Sequence, residues 1–185
     1  MKRRADEREE TRAPRLLRQP FYCEENVWQL CRDPALAHLR RDVVFISNAE
    51  RACPMWYQKA GRGKPIVWDY HVVLLVRDPL EIWDVDCTLG VPLPAMEWLR
   101  ASFHPGVPSP YLPSFRVVPA DLFVETFASD RSHMHLPDGT FRKPPPPWPP
   151  IGEPGAAANL MSFVDMTQPF HGEVLSLAAF AARVG

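Results

Sequence analysis

A chain of 185 residues with 46% hydrophobic content has the length of one ordinary domain and enough apolar mass for a core. Its net charge of −1 sets up no field that would select nucleic acid or a membrane surface, and no apolar run approaches the roughly 20 residues of a bilayer-spanning helix. Proline is the outlier, 22 residues against a usual share of roughly 5%, so much of the chain is expected to run as extended loop.

Residues 1–20 are charged and without periodicity, Lys2, Arg3, Arg4 and Arg8 mixing with Asp6, Glu7, Glu9 and Glu10. They read as a disordered tail, which leaves residues 21–185 as a single domain. The N-terminus lacks the apolar segment of a secretory leader. Four scattered cysteines, Cys23, Cys31, Cys53 and Cys87, form no CxxC and are too few for a disulfide framework. A reduced protein of the cytoplasm is expected, with the nucleus as a second location.

From Phe21 the pattern becomes ordered. Val27, Leu30 and Cys31 fall at helical spacing, Glu24 and Glu25 occupy the first turn, where carboxylates suit the helix dipole, and Pro34 ends the run. Cys23 thus stands at a helix start, where the dipole and free N–H groups can lower a thiol pKa and cradle an oxyanion. Glu24 and Glu25 work against that lowering, so an imidazolium partner would be needed. The plain alternative is a buried structural cysteine, which is the better reading for Cys31 on the apolar stripe. Asp33 to Arg41 reads as a second short helix, Val43 to Ser47 as a buried strand, and 48–64 as a long connection.

Val67 to Val76 and Glu81 to Asp86 then read as two strands joined by a turn at Arg77-Asp78-Pro79-Leu80. If Val76 pairs with Glu81, then His71, Asp84 and Asp86 share a face. A histidine beside a carboxylate on neighbouring strands is half of a nucleophilic triad, or simply a pair that holds a hairpin together; strand parity does not choose between Asp84 and Asp86.

Further on, Ala95 to Phe103 can form a helical turn, Phe115 to Val118 a strand, and Asp121 to Phe127 a short helix. Ala128 to Met134 is a polar loop of the kind that carries function. His133-x-His135 has no third ligand nearby, so no metal is expected. Pro144 to Pro150, P-P-P-P-W-P-P, must be extended polyproline. It is either a ligand for a proline-reading domain or, as we prefer, a stiff strap anchored by Trp148. Asn159 and Ser176 are expected to cap helices at Leu160–Met166 and Leu177–Arg183.

Cysteine at a helix start, histidine on a strand and aspartate on the next is the order of papain-like and transglutaminase-like enzymes, α+β folds in which an antiparallel sheet packs on the helix that carries the cysteine. The chemistry is acyl transfer. A thiolate attacks an amide carbon, the imidazolium protonates the leaving amine, and the aspartate fixes the tautomer.

The words of the sequence are more specific than the spacing. F-Y-C-E-E-N-V-W, V-F-I-S-N, I-V-W-D-Y-H-V-V-L-L, W-D-V-D, F-A-S-D-R-S-H-M and the P-P-P-P run, in that order from Phe21 onward, resemble the protein N-terminal glutamine amidohydrolase family. The resemblance implies a monomeric catalytic domain at 21–185 with no cofactor. It would convert N-terminal glutamine to glutamate with release of ammonia, in the arginine branch of the N-degron pathway. Its partners would be proteins or peptides beginning with glutamine, not nucleic acid or membrane. It also implies Cys23 as nucleophile, His71 as base and Asp84 as the aspartate; Trp83 stands where the family has tyrosine. A cysteine protease or transglutaminase of the same fold is the alternative enzyme, and a non-catalytic module acting through its polyproline strap is the alternative outside enzymes. A site that reads a free α-amine needs a carboxylate. Asp69, walled by Trp68 and Tyr70, and Asp130 are the candidates, with Glu24 and Glu25 next.

Overall fold

Val43 to Ile46 is apolar at every position because both of its faces are covered. In the computed structural model, which describes residues 13–153 and 155–185, these residues form the centre of strand β1 (Arg41–Ser47). On one side β1 pairs with β4 (His71–Arg77), followed outward by β5 (Leu80–Trp83) and β6 (Leu93–Pro94). On the other it pairs with β7 (Ser114–Pro119), and β7 with β8 (Glu173–Ser176). Every pairing in this six-stranded sheet is antiparallel. A separate ribbon joins β2 (Cys53–Met55) to β3 (Ile66–Trp68).

Side-chain alternation sorts the sheet into two cores. Val43 and Phe45, with Val72, Leu74 and Val76, face α1 (Cys23–Cys31), α3 (Ala120–Thr126) and α4 (Leu160–Val164). Phe45 stacks on Phe163 at 5.0 Å and meets Phe123 edge-on at 5.6 Å. Val44 and Ile46, with Val73, Leu75 and Phe115, face α2 (Ala95–Ser102) and α5 (Leu177–Val184). There Phe115 stacks on Phe180 at 4.2 Å. The protein is therefore α+β, an antiparallel sheet with short helices on both faces.

The hairpin register is the expected one, Val76 opposite Glu81 and Arg77 opposite Leu80. Its strands are shorter than the sequence suggests. Val67 to Val76 is not one strand, because Asp69-Tyr70 interrupts it. Asp69 Oδ1 accepts the Tyr70 N–H and the Asp69 carbonyl accepts the Ser47 hydroxyl, so this backbone is satisfied locally and Trp68 pairs with Cys53 instead. Asp84 to Asp86 lie beyond β5, whose ladder stops at Leu74 opposite Trp83.

Other expectations are also corrected. Asp33 to Arg41 holds a single 3₁₀ turn, Pro34–Leu36, capped by Asp33. The β1 ladder takes up Arg41 opposite Val76, and the Arg41 guanidinium donates back to the Cys31 carbonyl at the end of α1. Ser176 caps α5 as expected. Asn159 does not cap α4 with its side chain; its amide bridges the Ala128 N–H and the Thr126 carbonyl. Arg116, on β7, is fully buried, where its guanidinium donates to the carbonyls of Phe163, Asp165, Gln168 and His171. It thus ties the segment before β8 to the sheet.

The proline-rich run is held as a strap. Trp148 Nε1 donates to Glu25 Oε2 at 2.7 Å, and Arg131 forks onto both Glu25 oxygens at 2.8 Å while also donating to the Trp148 carbonyl. Of the stretch expected as a tail, residues 1–12 lie outside the described residues. Residues 13–20 contact the domain, through the Arg15 N–H on Asp33, Arg18 on Asp86 and the Gln19 side chain on the Pro144 carbonyl.

Glu25 and Arg131 form a buried bidentate pair, so neutralising one partner leaves the other charge uncompensated. Glu25→Gln should cost about 3 kcal/mol of folding stability, read from the urea midpoint. A loss below about 1 kcal/mol, the scale of an exposed pair, would mean that the strap is fastened some other way.

Candidate active site

Helix α1 brings three consecutive polar side chains to the sheet. Its entry is set by Asn26, whose amide bonds both the N–H and the carbonyl of Gln19, and by Phe21, in the left-handed region at φ 70°. Cys23 is the first residue of α1 and is 7% exposed. Burial pushes its thiol pKa well up; the Glu24 and Asp86 carboxylates push the same way, and the Val72 backbone N–H opposes them. All but the last of these effects favour the thiol over the thiolate.

His71, the first residue of β4, is buried. Its Nε2 lies 3.0 Å from Asp84 Oδ1, and its ring stacks on Trp68 with centroids 5.8 Å apart. Asp84 is a fully enclosed carboxylate with four donors. Oδ1 also accepts the Asp86 N–H at 3.0 Å, while Oδ2 accepts Gln58 Nε2 at 2.9 Å and Trp98 Nε1 at 3.1 Å. Burial alone would raise its pKa. The charge of His71 and the three side-chain donors outweigh burial and hold it below the usual carboxylate range. The reverse balance acts on His71. Burial opposes its protonation, but Asp84 prevails and the imidazole pKa is raised.

Cys23 and His71 line one cleft of about 330 Å³, together with Trp68, Asp69, Tyr70 and Asp86. The expected site residues are thus largely gathered there. Of the two aspartates left open by strand parity, Asp84 meets His71, while Asp86 receives the Arg18 guanidinium at 2.6 Å. Asp130 does not line the cleft. It is exposed, and its carboxylate accepts the N–H of Ser132, the first residue of the 3₁₀ turn Ser132–Met134. His133 lines the cleft, whereas His135 packs edge-on against Phe141.

Gln58 and Trp98 escaped the sequence reading. Trp98 falls on the apolar face of α2 and carries no sign that its indole N–H serves a carboxylate. Gln58 sits in a loop whose course the pattern does not define. Only the placement of Asp84 beyond β5, where a buried charge must find donors, could have prompted a search for them.

Glu24 is fully buried beside the thiol. Its Oε2 accepts the Tyr70 hydroxyl at 3.0 Å and lies 3.6 Å from Cys23 Sγ. Among the described residues its Oε1 has no hydrogen-bond partner, and it lies 3.5 Å from His133 Nε2. Burial raises the Glu24 pKa to about 7 and lowers that of His133, so burial favours the neutral form of both groups where they face each other. A carboxyl whose folded pKa is raised stabilises the fold fully below its unfolded value and loses that contribution as pH rises through the folded one. Glu24→Gln keeps an acceptor for Tyr70 and removes the titration. Between pH 4.5 and 7, the stability of the variant relative to the parent should rise by about 3 kcal/mol, read by urea unfolding across pH; a flat difference would mean that Glu24 is charged throughout.

The chain matches the N-terminal glutamine amidase family over residues 18–184. It is 40% identical over 179 residues to a protein N-terminal glutamine amidohydrolase of Danio rerio, covering 89% of this chain and 87% of that one. The protein of the same name in Arabidopsis thaliana is 38% identical over 172 residues, covering 84% and 77% of the two chains. That of Drosophila melanogaster is 38% identical over 174 residues, covering 86% and 83%. With a family match across nearly its whole length and relatives at this identity in fish, plant and fly, the chain belongs to the N-terminal glutamine amidase family.

Proposed function

We propose that this protein is a hydrolase that deamidates N-terminal glutamine, with Cys23 as nucleophile, His71 as general base and acid, and Asp84 as the residue that orients His71. The observation that carries this reading is the imidazole, which shares a cleft with Cys23 and is held from behind by a buried carboxylate. With Nε2 committed to Asp84, Nδ1 is the nitrogen left for the thiol proton. Sγ attacks the carboxamide carbon as His71 takes that proton. The C–N bond then breaks, and the imidazolium protonates the departing nitrogen, which leaves as ammonia. Water, deprotonated by His71, attacks the thioester. The C–S bond breaks, the thiol is restored and glutamate remains at the chain end.

The arrangement supports a papain- or transglutaminase-like architecture, with the nucleophilic cysteine opening the helix that packs on the sheet. The reading carries with it a monomeric enzyme of the cytoplasm and nucleus that supplies N-terminal glutamate to the arginine branch of the N-degron pathway. Asp69 is the carboxylate we assign to the substrate α-ammonium. It lines the cleft two residues from His71, between Trp68 and Tyr70.

Cys23→Ala and His71→Ala should both abolish ammonia release from a Gln-initiated peptide, since the members of such a unit act together. Asp84→Asn should lower the rate by about 10⁴-fold, the size of the corresponding change in serine proteases. The base must be neutral to act, and Asp84 holds the His71 pKa above its ordinary value. The acid limb of kcat/KM should therefore lie above pH 6.5 and move to lower pH in Asp84→Asn. A limb that stays in place would remove Asp84 from this role.

Among four peptides bearing free N-terminal Gln, N-acetylated Gln, N-terminal Asn and internal Gln, only the first should release ammonia efficiently. Asparagine, one methylene shorter, leaves its carboxamide out of register when the amine is anchored, and about 1 Å of misplacement can cost roughly 10²-fold. Comparable turnover of the acetylated peptide would remove the amine requirement, and cleavage of the peptide chain would identify a protease.

A further inference from the structure

Asp86 places a second carboxylate beside the reacting groups, and it is not free to turn away from them. It is buried and lines the cleft with Cys23 and His71. Its N–H donates to Asp84 Oδ1 at 3.0 Å and its carbonyl accepts the Lys59 N–H at 2.8 Å, so its backbone is pinned on both sides. Burial and Glu24 raise the Cys23 thiol pKa, and Asp86 adds to them. At His71 burial opposes protonation, Asp84 favours it, and Asp86 adds to Asp84. The titratable groups around Cys23 are Glu24 on its own helix, Tyr70 and His71 at the entry to β4, and Asp84 and Asp86 beyond β5. Apart from His71, every one of them is an acid.

Against these acids stands Arg18. Its Nε lies 2.7 Å and its Nη2 2.6 Å from Asp86 Oδ1. Among the described residues it is the only cation paired with Asp86. Arg18 comes from a stretch that is neither strand nor helix, yet the stretch is fastened on both sides of it. The Asn26 amide bonds the N–H and the carbonyl of Gln19, Gln19 Nε2 donates to the Pro144 carbonyl at 2.8 Å, and the Arg15 N–H donates to Asp33 at 2.7 Å. The positive charge therefore has a set position, delivered by the chain just ahead of the helix that Cys23 opens. Resting on the deamidase reading above, we propose that Arg18 is a positioning residue of the reaction, acting through Asp86. The guanidinium cancels part of that carboxylate's field at Cys23 and His71, and leaves Asp84 as the carboxylate that sets the imidazole. Without Arg18, Asp86 holds a proton more firmly on both sulfur and imidazole, so less thiolate forms and the base is neutral only at higher pH.

The test compares the parent with Arg18→Gln, Arg18→Lys and Arg18→Gln/Asp86→Asn by two readouts. One is the rate of Cys23 alkylation by iodoacetamide across pH, followed by mass spectrometry of the Cys23 peptide. The other is the acid limb of kcat/KM for ammonia release from a Gln-initiated peptide. In Arg18→Gln, alkylation at pH 7 should slow by about three- to tenfold. The acid limb should move to higher pH, opposite to its movement in Asp84→Asn. Arg18→Lys keeps the charge and should hold both readouts closer to the parent. Asp86→Asn removes the field that Arg18 offsets, so the double variant should recover the parental alkylation rate or exceed it, with its limb at or below the parental pH. An arginine that only fastened the chain would lower turnover without moving the limb, and Asp86→Asn would not restore the loss. An unmoved limb and an unchanged alkylation rate in Arg18→Gln, or a shift that persists in the double variant, overturns the assignment. A parent protein that releases no ammonia would bring down the deamidase reading, while alkylation would still show whether Arg18 acts on the thiol through Asp86.

Discussion

The carboxylate of Asp84 is the constraint around which the cleft is arranged. A fully enclosed carboxylate is tolerable only if its lone pairs are filled. Here they are filled from four separate parts of the chain: His71 at the start of β4, the backbone of Asp86, Gln58 in the loop after β2, and Trp98 on α2. Meeting one electrostatic requirement therefore fixes the mutual positions of strand β4, the loops after β2 and β5, and helix α2. The imidazole, held at one nitrogen and stacked on Trp68, has little freedom left. A positioned imidazole results from the demand to satisfy a buried charge, and the same bonds that stabilise the fold also set the tautomer.

Helix α1 shows how much a single turn can be asked to hold. Successive residues on a helix point about 100° apart, so Cys23, Glu24 and Glu25 enter three different environments. Cys23 looks into the cleft. Glu24 is shut in with Tyr70 and His133. Glu25 is the anchor for Arg131 and Trp148. The anchor of the strap and Cys23 are thus neighbours on one turn, and the proline-rich run is fastened beside the cleft without regular secondary structure. Its stiffness lowers the ordering cost of holding an extended segment across the helix.

How far the sequence could be read depended on whether the signal was local. The β1 strand, α1, the hairpin register and the Ser176 cap rest on contiguous patterns and emerged with small boundary errors. The break at Asp69-Tyr70 did not, because it depends on the Ser47 hydroxyl from another strand. Asp130, a candidate for its polar loop, bonds the Ser132 N–H two residues on, a purely local use that its composition also allowed. Trp98, Gln58 and Arg116 were invisible for a different reason. Each is a polar atom on a residue whose position looks like core or loop, and its partner is remote in sequence. The Glu24 and Glu25 pair was read as a dipole effect at a helix start, whereas both are buried and serve tertiary bonds.

Electrostatics inside the cleft runs against the simplest picture of an activated cysteine. Glu24 and Asp86 add to burial in holding the thiol protonated, and Asp84 pushes in the same direction. Asp84 also raises the proton affinity of His71, so the negative field keeps a proton on the sulfur while strengthening the imidazole that would receive it in the proposed chemistry. Transfer between them is governed by the difference, which the field of Asp84 narrows because it lies 3.0 Å from the imidazole and acts on it directly. A cation that sits nearer the sulfur than the imidazole narrows the gap further from the other side, since it favours thiolate more than it disfavours the imidazolium. A free α-ammonium is such a cation, and an acetylated or internal glutamine brings none. Within the proposed chemistry, the carboxylates that suppress the resting thiolate make its formation depend on the group that distinguishes a chain end from the rest of a protein.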